Sequence, residues 1–230
     1  MSDPRFFVRS TPSAGAGGTA ISPNILNDGT QVVAPWLQSY VNLGYGYHVN
    51  IGTFSSPITG GGAGTIVDLD QPEGILSVPA GRAVIPIRFA VHCQPPLLAT
   101  DADEIEAFIA VDKDTAWVGD GTVTAETPFN LRMNSSQTGG VSAASAATAD
   151  ITDPTLDFEL ARVVKVGDVQ GTAATTMWTE LDLVYEPEVR PVFYGPCAIY
   201  VYWGGTVAVP GFADLQYVDL PSSVAANLFP

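Results

Sequence analysis

The sequence predicts an all-β protein, a two-sheet antiparallel sandwich preceded by an extended N-terminal arm, and three observations support this fold class. Short runs rich in Val, Ile, Tyr, Phe and Thr recur along the chain and are separated by clusters of Gly, Pro, Asn or Asp. Helical signals are poor, because long windows with apolar residues three and four apart are interrupted by Gly, Pro or β-branched runs. No segment repeats at a fixed period, which argues against a propeller or a solenoid.

Residues 1–33 are predicted to form the arm, since they are dominated by Ser, Thr, Pro, Gly and Ala, a composition that does not pack by itself. The segment nevertheless keeps apolar side chains that a solvated tail does not need. We therefore expect it to become ordered on a neighbouring surface, with an ordinary frayed terminus as the alternative. The residues predicted to make this assembly contact are Phe6, Phe7, Ile21, Ile25 and Leu26.

Residues 34–230 are predicted to form a single domain, because β-sandwiches of this size commonly fold as one unit. About eight to ten strands with long connections favour a jelly roll as the topology. The predicted strands are Tyr40–Phe54, Thr65–Leu69, Gly74–Val78, Arg82–Cys93, Glu104–Val111, Thr127–Met133, Thr155–Val166, Thr176–Tyr185, Cys197–Trp203 and Ala213–Leu220.

Two segments carry more specific expectations. In Arg82–Cys93 strict alternation predicts one apolar face for the whole strand. The alanine-rich stretch Ser142–Thr148 lacks an apolar stripe and is assigned to a long exposed loop, Asn134–Asp153, of the kind that is usually functional or ordered by a partner. The predicted apolar face of the strand consists of Ala83, Ile85, Ile87, Phe89 and Val91.

The charged fraction is low, at 14 %, against roughly 25 % in an average globular domain. Depletion of charge distinguishes the buried part of protein interfaces from ordinary surface, so this composition suggests burial against copies of the same chain and neighbouring subunits. The alternative is a β-protein that is hydrated through neutral polar side chains.

The remaining charges are strongly acidic, with 24 acids, 9 bases and a net charge of −15. Binding to nucleic acid or to anionic lipid needs clustered bases, and here they are scattered singly, so neither partner is expected. No run of apolar residues is long enough for a membrane helix. If the protein belongs to a particle, we expect it on the outer side. The start of the sequence resembles no signal peptide, so synthesis in a host cytoplasm is expected.

Candidate chemistry is sparse. The two histidines, His48 and His92, stand far apart, and no HxH, HExxH or CxxC motif occurs, so a cupin-type metal site and a cofactor are not expected. His92 and Cys93 are adjacent in a strand and point to opposite faces. We therefore expect no enzyme. The alternative is a glycoside hydrolase with converging carboxylates, for which Asp112 is the candidate.

The clustered acids and the two cysteines each allow two interpretations. Asp112, Asp114 and Asp120 begin like an EF-hand loop but lack its Gly and its closing Glu, so solvated turns are expected, with a calcium site between loops or subunits as the alternative. Cys93 and Cys197 are expected to be free and buried, since they are too few for a disulfide scaffold, and a bridge between the sheets stays open.

Aromatic residues are dense between Trp36 and Tyr47, where Tyr40 and Tyr45 also lie. Such residues in a strand are expected to form cross-strand core pairs. They also define the second function considered, a carbohydrate-binding β-sandwich module, which requires solvent-exposed rings. Trp36 and Trp117 are the candidates for that role.

The C-terminal stretch PVFYGPCAIYVYWGGTVAVPGFADLQYVDLPSS, residues 191–223, combines an aromatic-rich strand, a Gly-Pro loop and a last alternating strand. It resembles the closing strands of small β-sandwich structural proteins of bacteriophages. Together with VPAGRAVIPIRFAV, residues 78–91, it is similar to jelly-roll proteins that form or decorate viral shells. The resemblance implies a virion component, a capsid, decoration or vertex protein that works as a homo-oligomer with other capsid subunits and carries no catalytic residues.

Overall fold

The computed structural model describes residues 36–60, 67–94, 104–152, 154–166, 180–206 and 208–228. These residues form thirteen strands and two short helices. In chain order the elements are α1 (Trp36–Asn42), β1 (Gly46–Ile51), β2 (Ile58–Gly60), β3 (Gly74–Val78), β4 (Arg82–Cys93), β5 (Glu104–Asp112), β6 (Thr124–Glu126), β7 (Phe129–Asn130), β8 (Ser142–Ser145), β9 (Phe158–Val166), β10 (Leu181–Tyr185), β11 (Phe193–Tyr194), β12 (Cys197–Gly205), β13 (Val209–Pro221) and α2 (Ser222–Leu228).

The strands form two antiparallel sheets, which confirms the predicted sandwich. The first sheet has the order β10-β4-β13-β1-β7, with β11 paired to β4 and β2 paired to β13, and the second has the order β6-β8-β3-β12-β5-β9. Among the eight principal strands, β1 pairs with β13, β3 with β12, β4 with β10, and β5 with β9. The first of these strands thus pairs with the last, the second with the next to last, and so on to the middle pair. This nested pairing is that of a jelly roll.

The space between the sheets is filled with side chains, because inward positions of the principal strands are apolar at a period of two. Trp203, Tyr217 and Phe89 are almost fully enclosed in this core. The stacked pair of Tyr47 and Tyr217, which are direct cross-strand partners with ring centroids 6.1 Å apart, is part of it. The expectation that strand aromatics form core pairs is confirmed for these two rings.

The predicted single apolar face of β4 is wrong, because the strand contains a β-bulge. Gln216 pairs with Arg88, whereas the next residue of β13 pairs with Pro86, so Ile87 is an extra residue on β4. A bulge of this kind inverts the alternation beyond it. Ala83 and Ile85 therefore face outward with Ile87, while Phe89 and Val91 belong to the core between the sheets.

The outer face of the second sheet is covered by the long connection between β5 and β9. A second apolar cluster forms there around Phe108, Tyr200 and Tyr202, and Trp117 and Leu156 from the connection pack against it. The assignment of Ser142–Thr148 to an exposed loop is thus wrong in part: Ser142–Ser145 is strand β8, and its alanines are buried. Ala143 packs in the core between the sheets and Ala144 in the outer cluster, so both faces of this strand are covered.

Both helices were missed by the sequence pattern, and both cover one end of the first sheet. Tyr40 lies in α1, so the strand predicted from this residue begins only at Gly46. Residues of α1 and α2 pack on a third apolar cluster that contains Ile85 and Leu220. Each helix has only seven residues, too few for periodicity to stand out, and packing supplies its stability. No helix of the described residues is long and apolar enough to cross a membrane.

Several predicted strands are shorter in the structure. The described part of Thr65–Leu69, residues 67–69, is not a strand, and Thr127–Met133 retains only β7. Cys197–Trp203 and Ala213–Leu220 lie within the longer strands β12 and β13. The arm, including Phe6, Phe7, Ile21, Ile25 and Leu26, lies outside the described residues, so the boundary at residue 33 stays a prediction.

Candidate functional site

Both cysteines lie in the core between the sheets as free thiols, as expected. Burial raises the pKa of each thiol to about 12. A nucleophilic or metal-binding cysteine must be a thiolate, so neither side chain is prepared for such chemistry at neutral pH. Among the described residues no group of three or more His, Cys, Asp or Glu side chains is arranged to hold a metal ion.

The clustered acids accept hydrogen bonds that stabilise the connection between β5 and β9. The buried carboxylate of Asp112 accepts backbone N–H bonds from Asp114 (3.2 Å), Thr115 (3.0 Å) and Thr155 (3.3 Å). Oδ2 of Asp120 accepts bonds from the backbone N–H (2.7 Å) and the hydroxyl of Thr152, and these lower the pKa of Asp120. Oδ1 of Asp120 is enclosed without a hydrogen-bond partner. These carboxylates stabilise turns, but the prediction that the clustered acids are solvated is wrong for Asp112, which is buried.

The two histidines lie on one exposed surface, which we call the histidine face: His48 and Asp214, His92 and Asp182, all on the outer side of the first sheet. Nε2 of His48 is 3.2 Å from Oδ1 of Asp214, and Nδ1 of His92 is 2.8 Å from Oδ1 of Asp182. His92 faces outward because it lies between Val91 and Cys93, which both belong to the core between the sheets. No signal in the sequence pairs strands β1, β13, β4 and β10, so this arrangement was not predicted.

Aromatic rings adjoin the histidine face. The ring of Phe212 lies 5.0 Å from that of His92 and packs edge-on against Phe54 at 6.5 Å. Phe54 stands on the turn after β1 and is 70 % exposed. The uncovered part of the first sheet thus presents aromatic and half-buried polar groups side by side, a mixture typical of contact surfaces.

A second exposed feature is the edge formed by β9 and β10, which we call the valine corner: Val164, Val166 and Val184. Since Val163 packs against the core between the sheets, Val164 and Val166 lie on the outer side of the second sheet. Since Leu183 belongs to the same core, Val184 lies on the outer side of the first sheet. These three side chains are 42 %, 60 % and 49 % exposed. The strands belong to different sheets and lie side by side, with the Lys165 amine donating to the carbonyl of Glu180. Both are edge strands, whose unpaired backbone groups are available to another chain.

A depression of about 410 Å³ lies at the opposite edge, between the turn that follows β1 and the strands β6 and β7. One wall is a tight turn in which Thr53 and Ser56 exchange backbone hydrogen bonds of 3.1 Å. The other wall is fixed because β6 pairs with β8 and the hydroxyl of Ser145 donates to Oε1 of Glu126 at 2.5 Å. The ring of Phe129, 62 % exposed, stands at the rim.

The rings predicted for carbohydrate recognition lie elsewhere. Trp117 is half-buried, and its indole N–H donates to the carbonyl of Asp120 at 3.1 Å. Trp36 is 44 % exposed and lies edge-on to Tyr40, which packs on the cluster beneath α1. The structure therefore does not bring Trp36 and Trp117 together, and the exposed rings of Phe54 and Phe129 carried no signal in the sequence.

A smaller cavity of about 230 Å³ lies where β5, β9 and β11 meet. Its lining includes Phe158 and Phe193, whose rings stack at 6.3 Å, and Lys113, whose amine is 2.8 Å from the carboxylate of Asp157. The charge of Lys113 at this cavity is therefore already compensated by Asp157.

Comparisons of the whole chain with protein-family models, with curated proteins and with solved structures yielded no match.

Proposed function

We propose that this chain is a structural component of a virus-like particle of the bacteriophage type, forming or decorating the outer shell through contacts with its own copies and with neighbouring capsid subunits. The observation that carries the proposal is the nested strand pairing of a jelly roll, an architecture used by capsid, lectin and cupin domains. The resemblance of residues 191–223 to phage structural proteins points the same way.

The filled interior favours a shell or surface role over a cupin role. Cupins use the space inside the barrel for a ligand or metal, and here that space holds the packed side chains of Trp203, Phe89 and Tyr217. What remains for function is the exterior of the domain. Recognition through exterior surfaces is the way in which shell subunits and lectins act.

Composition and exposed surface support assembly. The charged fraction of 14 % leaves large parts of the exterior without ionic groups. At the valine corner, exposed β-branched side chains lie on two edge strands. Edge strands with exposed apolar side chains tend to pair with other chains. The strong negative charge disfavours contact with a nucleic acid, so the proposed place of the protein is the outer side of the shell.

The proposal is tested by the association of the purified chain, alone and mixed with shells that lack it. We expect sedimentation velocity and electron microscopy to show oligomers or shell-bound protein. The double variant Val164→Lys and Val166→Lys is expected to weaken association by about tenfold or more, since buried lysine charges are costly in an interface.

The matched control is Val118→Lys, which changes a 74 % exposed valine in the connection between β5 and β9. This variant is expected to associate like the unchanged protein. A chain that stays monomeric at high concentration and does not bind shells contradicts the proposed function. Equal association of all three proteins refutes the assignment of the valine corner to the contact.

A further inference from the structure

The depression between β6, β7 and the turn after β1 has the size and rigidity of a ligand site. Its volume of about 410 Å³ falls within the roughly 300–1,000 Å³ of small-molecule pockets. Both walls are held by backbone pairing, and the position of Glu126 is fixed by Ser145. A site whose side chains are already placed loses little entropy when it binds.

The lining defines the chemistry of a fitting ligand. Four neutral hydrogen-bonding side chains, one carboxylate and one exposed ring surround the depression, and the lining residues include neither Lys nor Arg. An anion therefore finds no countercharge, and the net charge of −15 repels it further. A purely apolar ligand leaves the polar groups without partners, which costs free energy. The side chains concerned are Asn50, Thr53, Ser56, Thr127, Glu126 and Phe129.

We propose that this depression binds a neutral saccharide. Sugars combine many hydroxyl groups with an apolar ring face, and this lining offers partners for both parts. The Phe129 ring packs on the apolar face of the sugar, because aromatic side chains supply a large, rigid apolar surface. The carboxylate of Glu126 accepts a charge-assisted hydrogen bond from a hydroxyl, and Asn50 and Thr127 bind further hydroxyls.

This site is independent of the valine corner. The strands β6 and β7 end the two sheets on one side, whereas β9 and β10 end them on the other. A subunit that contacts its neighbours through the valine corner therefore keeps the depression open. The inference goes beyond the proposed shell function and does not need it, since a free domain with this depression is expected to bind the same saccharides.

The test is isothermal titration of the intact chain with five neutral trisaccharides: maltotriose, cellotriose, mannotriose, chitotriose and β-1,3-linked glucotriose. We expect at least one to bind in the micromolar to millimolar range. Phe129→Ala is expected to weaken that binding by about tenfold or more, which corresponds to about 1.4 kcal/mol. Glu126→Gln is expected to weaken it less, because the amide keeps one acceptor.

The control is Met133→Ala, which truncates an 87 % exposed apolar side chain that follows β7 in the sequence and does not line the depression. It is expected to bind as the unchanged protein does, and thermal unfolding verifies that all variants are folded. Absence of binding for all five sugars at about 10 mM overturns the proposal. Binding that is unaffected by Phe129→Ala and Glu126→Gln overturns it equally, since the sugar then binds elsewhere.

Discussion

Arg82 and Asp219 form an ion pair in which the guanidinium Nη2 lies 2.7 Å and Nε lies 2.8 Å from the same carboxylate oxygen. The Asp219 side chain is fully enclosed. Its second oxygen accepts the backbone N–H groups of Gly140 (2.7 Å) and Val141 (3.3 Å). One carboxylate thus joins β4, β13 and the segment that leads into β8.

We expect Asp219→Asn to lower the free energy of unfolding by about 3 kcal/mol, since it removes the enclosed carboxylate and leaves the partly buried charge of Arg82 uncompensated. Urea unfolding at neutral pH measures the loss. The control is Asp114→Asn. The carboxylate of Asp114 is 78 % exposed and lies 3.8 Å from the amine of Lys113. Because solvent screens this exposed pair, the loss in the control is expected to be much smaller than in Asp219→Asn. Equal losses in the two variants contradict a special role for Asp219.

Gly60 is the second structural constraint, because it lies against the backbone of Trp203. A Cβ atom at Gly60 would be 2.1 Å from the carbonyl oxygen of Trp203 and 2.5 Å from its ring. Since neither backbone nor a buried indole yields easily, we expect Gly60→Ala to cost about 3 kcal/mol in urea unfolding, at the upper end of overpacking effects.

The matched control for this substitution is Gly119→Ala. Gly119 has a φ of +85° and no atom within 4 Å of the added Cβ. The control therefore measures backbone strain alone, which is about 1 kcal/mol. If Gly60→Ala costs no more than Gly119→Ala, the close approach between Gly60 and Trp203 does not exist in solution.

The sandwich was predictable from sequence because β12 is a short continuous apolar run and most of β13 alternates between buried and half-buried residues, and both patterns are typical of strands. The same rule failed in β4, where the extra residue Ile87 inverts the pattern, and no residue type announces a bulge. The candidate functional surfaces were harder to predict from the sequence than the fold. His48 and His92 lie on one face of the sheet only through the pairing of its strands, and Phe129 lies beside the depression only through the pairing of β7 with β1.

Asp120 is expected to make stability depend on pH. Hydrogen bonds from Thr152 lower the pKa of this carboxyl in the folded protein below its ordinary value of 3.8. A depressed folded pKa stabilises the fold above the unfolded pKa, and this contribution is lost as the pH falls through the folded pKa. Asp120→Asn is therefore expected to be less stable than the unchanged protein at pH 7, with the difference shrinking below about pH 4.

Carbon-detected NMR titration of the Asp120 carboxyl provides the direct measurement. In Thr152→Val, which removes the donating hydroxyl and keeps the backbone N–H, the midpoint is expected to rise toward 3.8. A midpoint that is the same in both proteins contradicts the assignment of the shift to the Thr152 hydroxyl.

Deletion of residues 1–33 tests the assembly arm. We expect the shortened chain to keep the thermal unfolding of the sandwich, because no element of the described fold begins before Trp36, and to lose association with itself and with shells. Sedimentation velocity and shell binding measure this loss.

A full-length variant with serine at Phe6, Phe7, Ile21, Ile25 and Leu26 separates the effect of apolar contacts from that of chain length. If apolar contacts order the arm, this variant fails like the deletion, because burial of each large apolar side chain contributes about 1.5–3 kcal/mol. Unchanged assembly of the deleted chain excludes the arm contact and leaves the valine corner as the assembly surface to be tested.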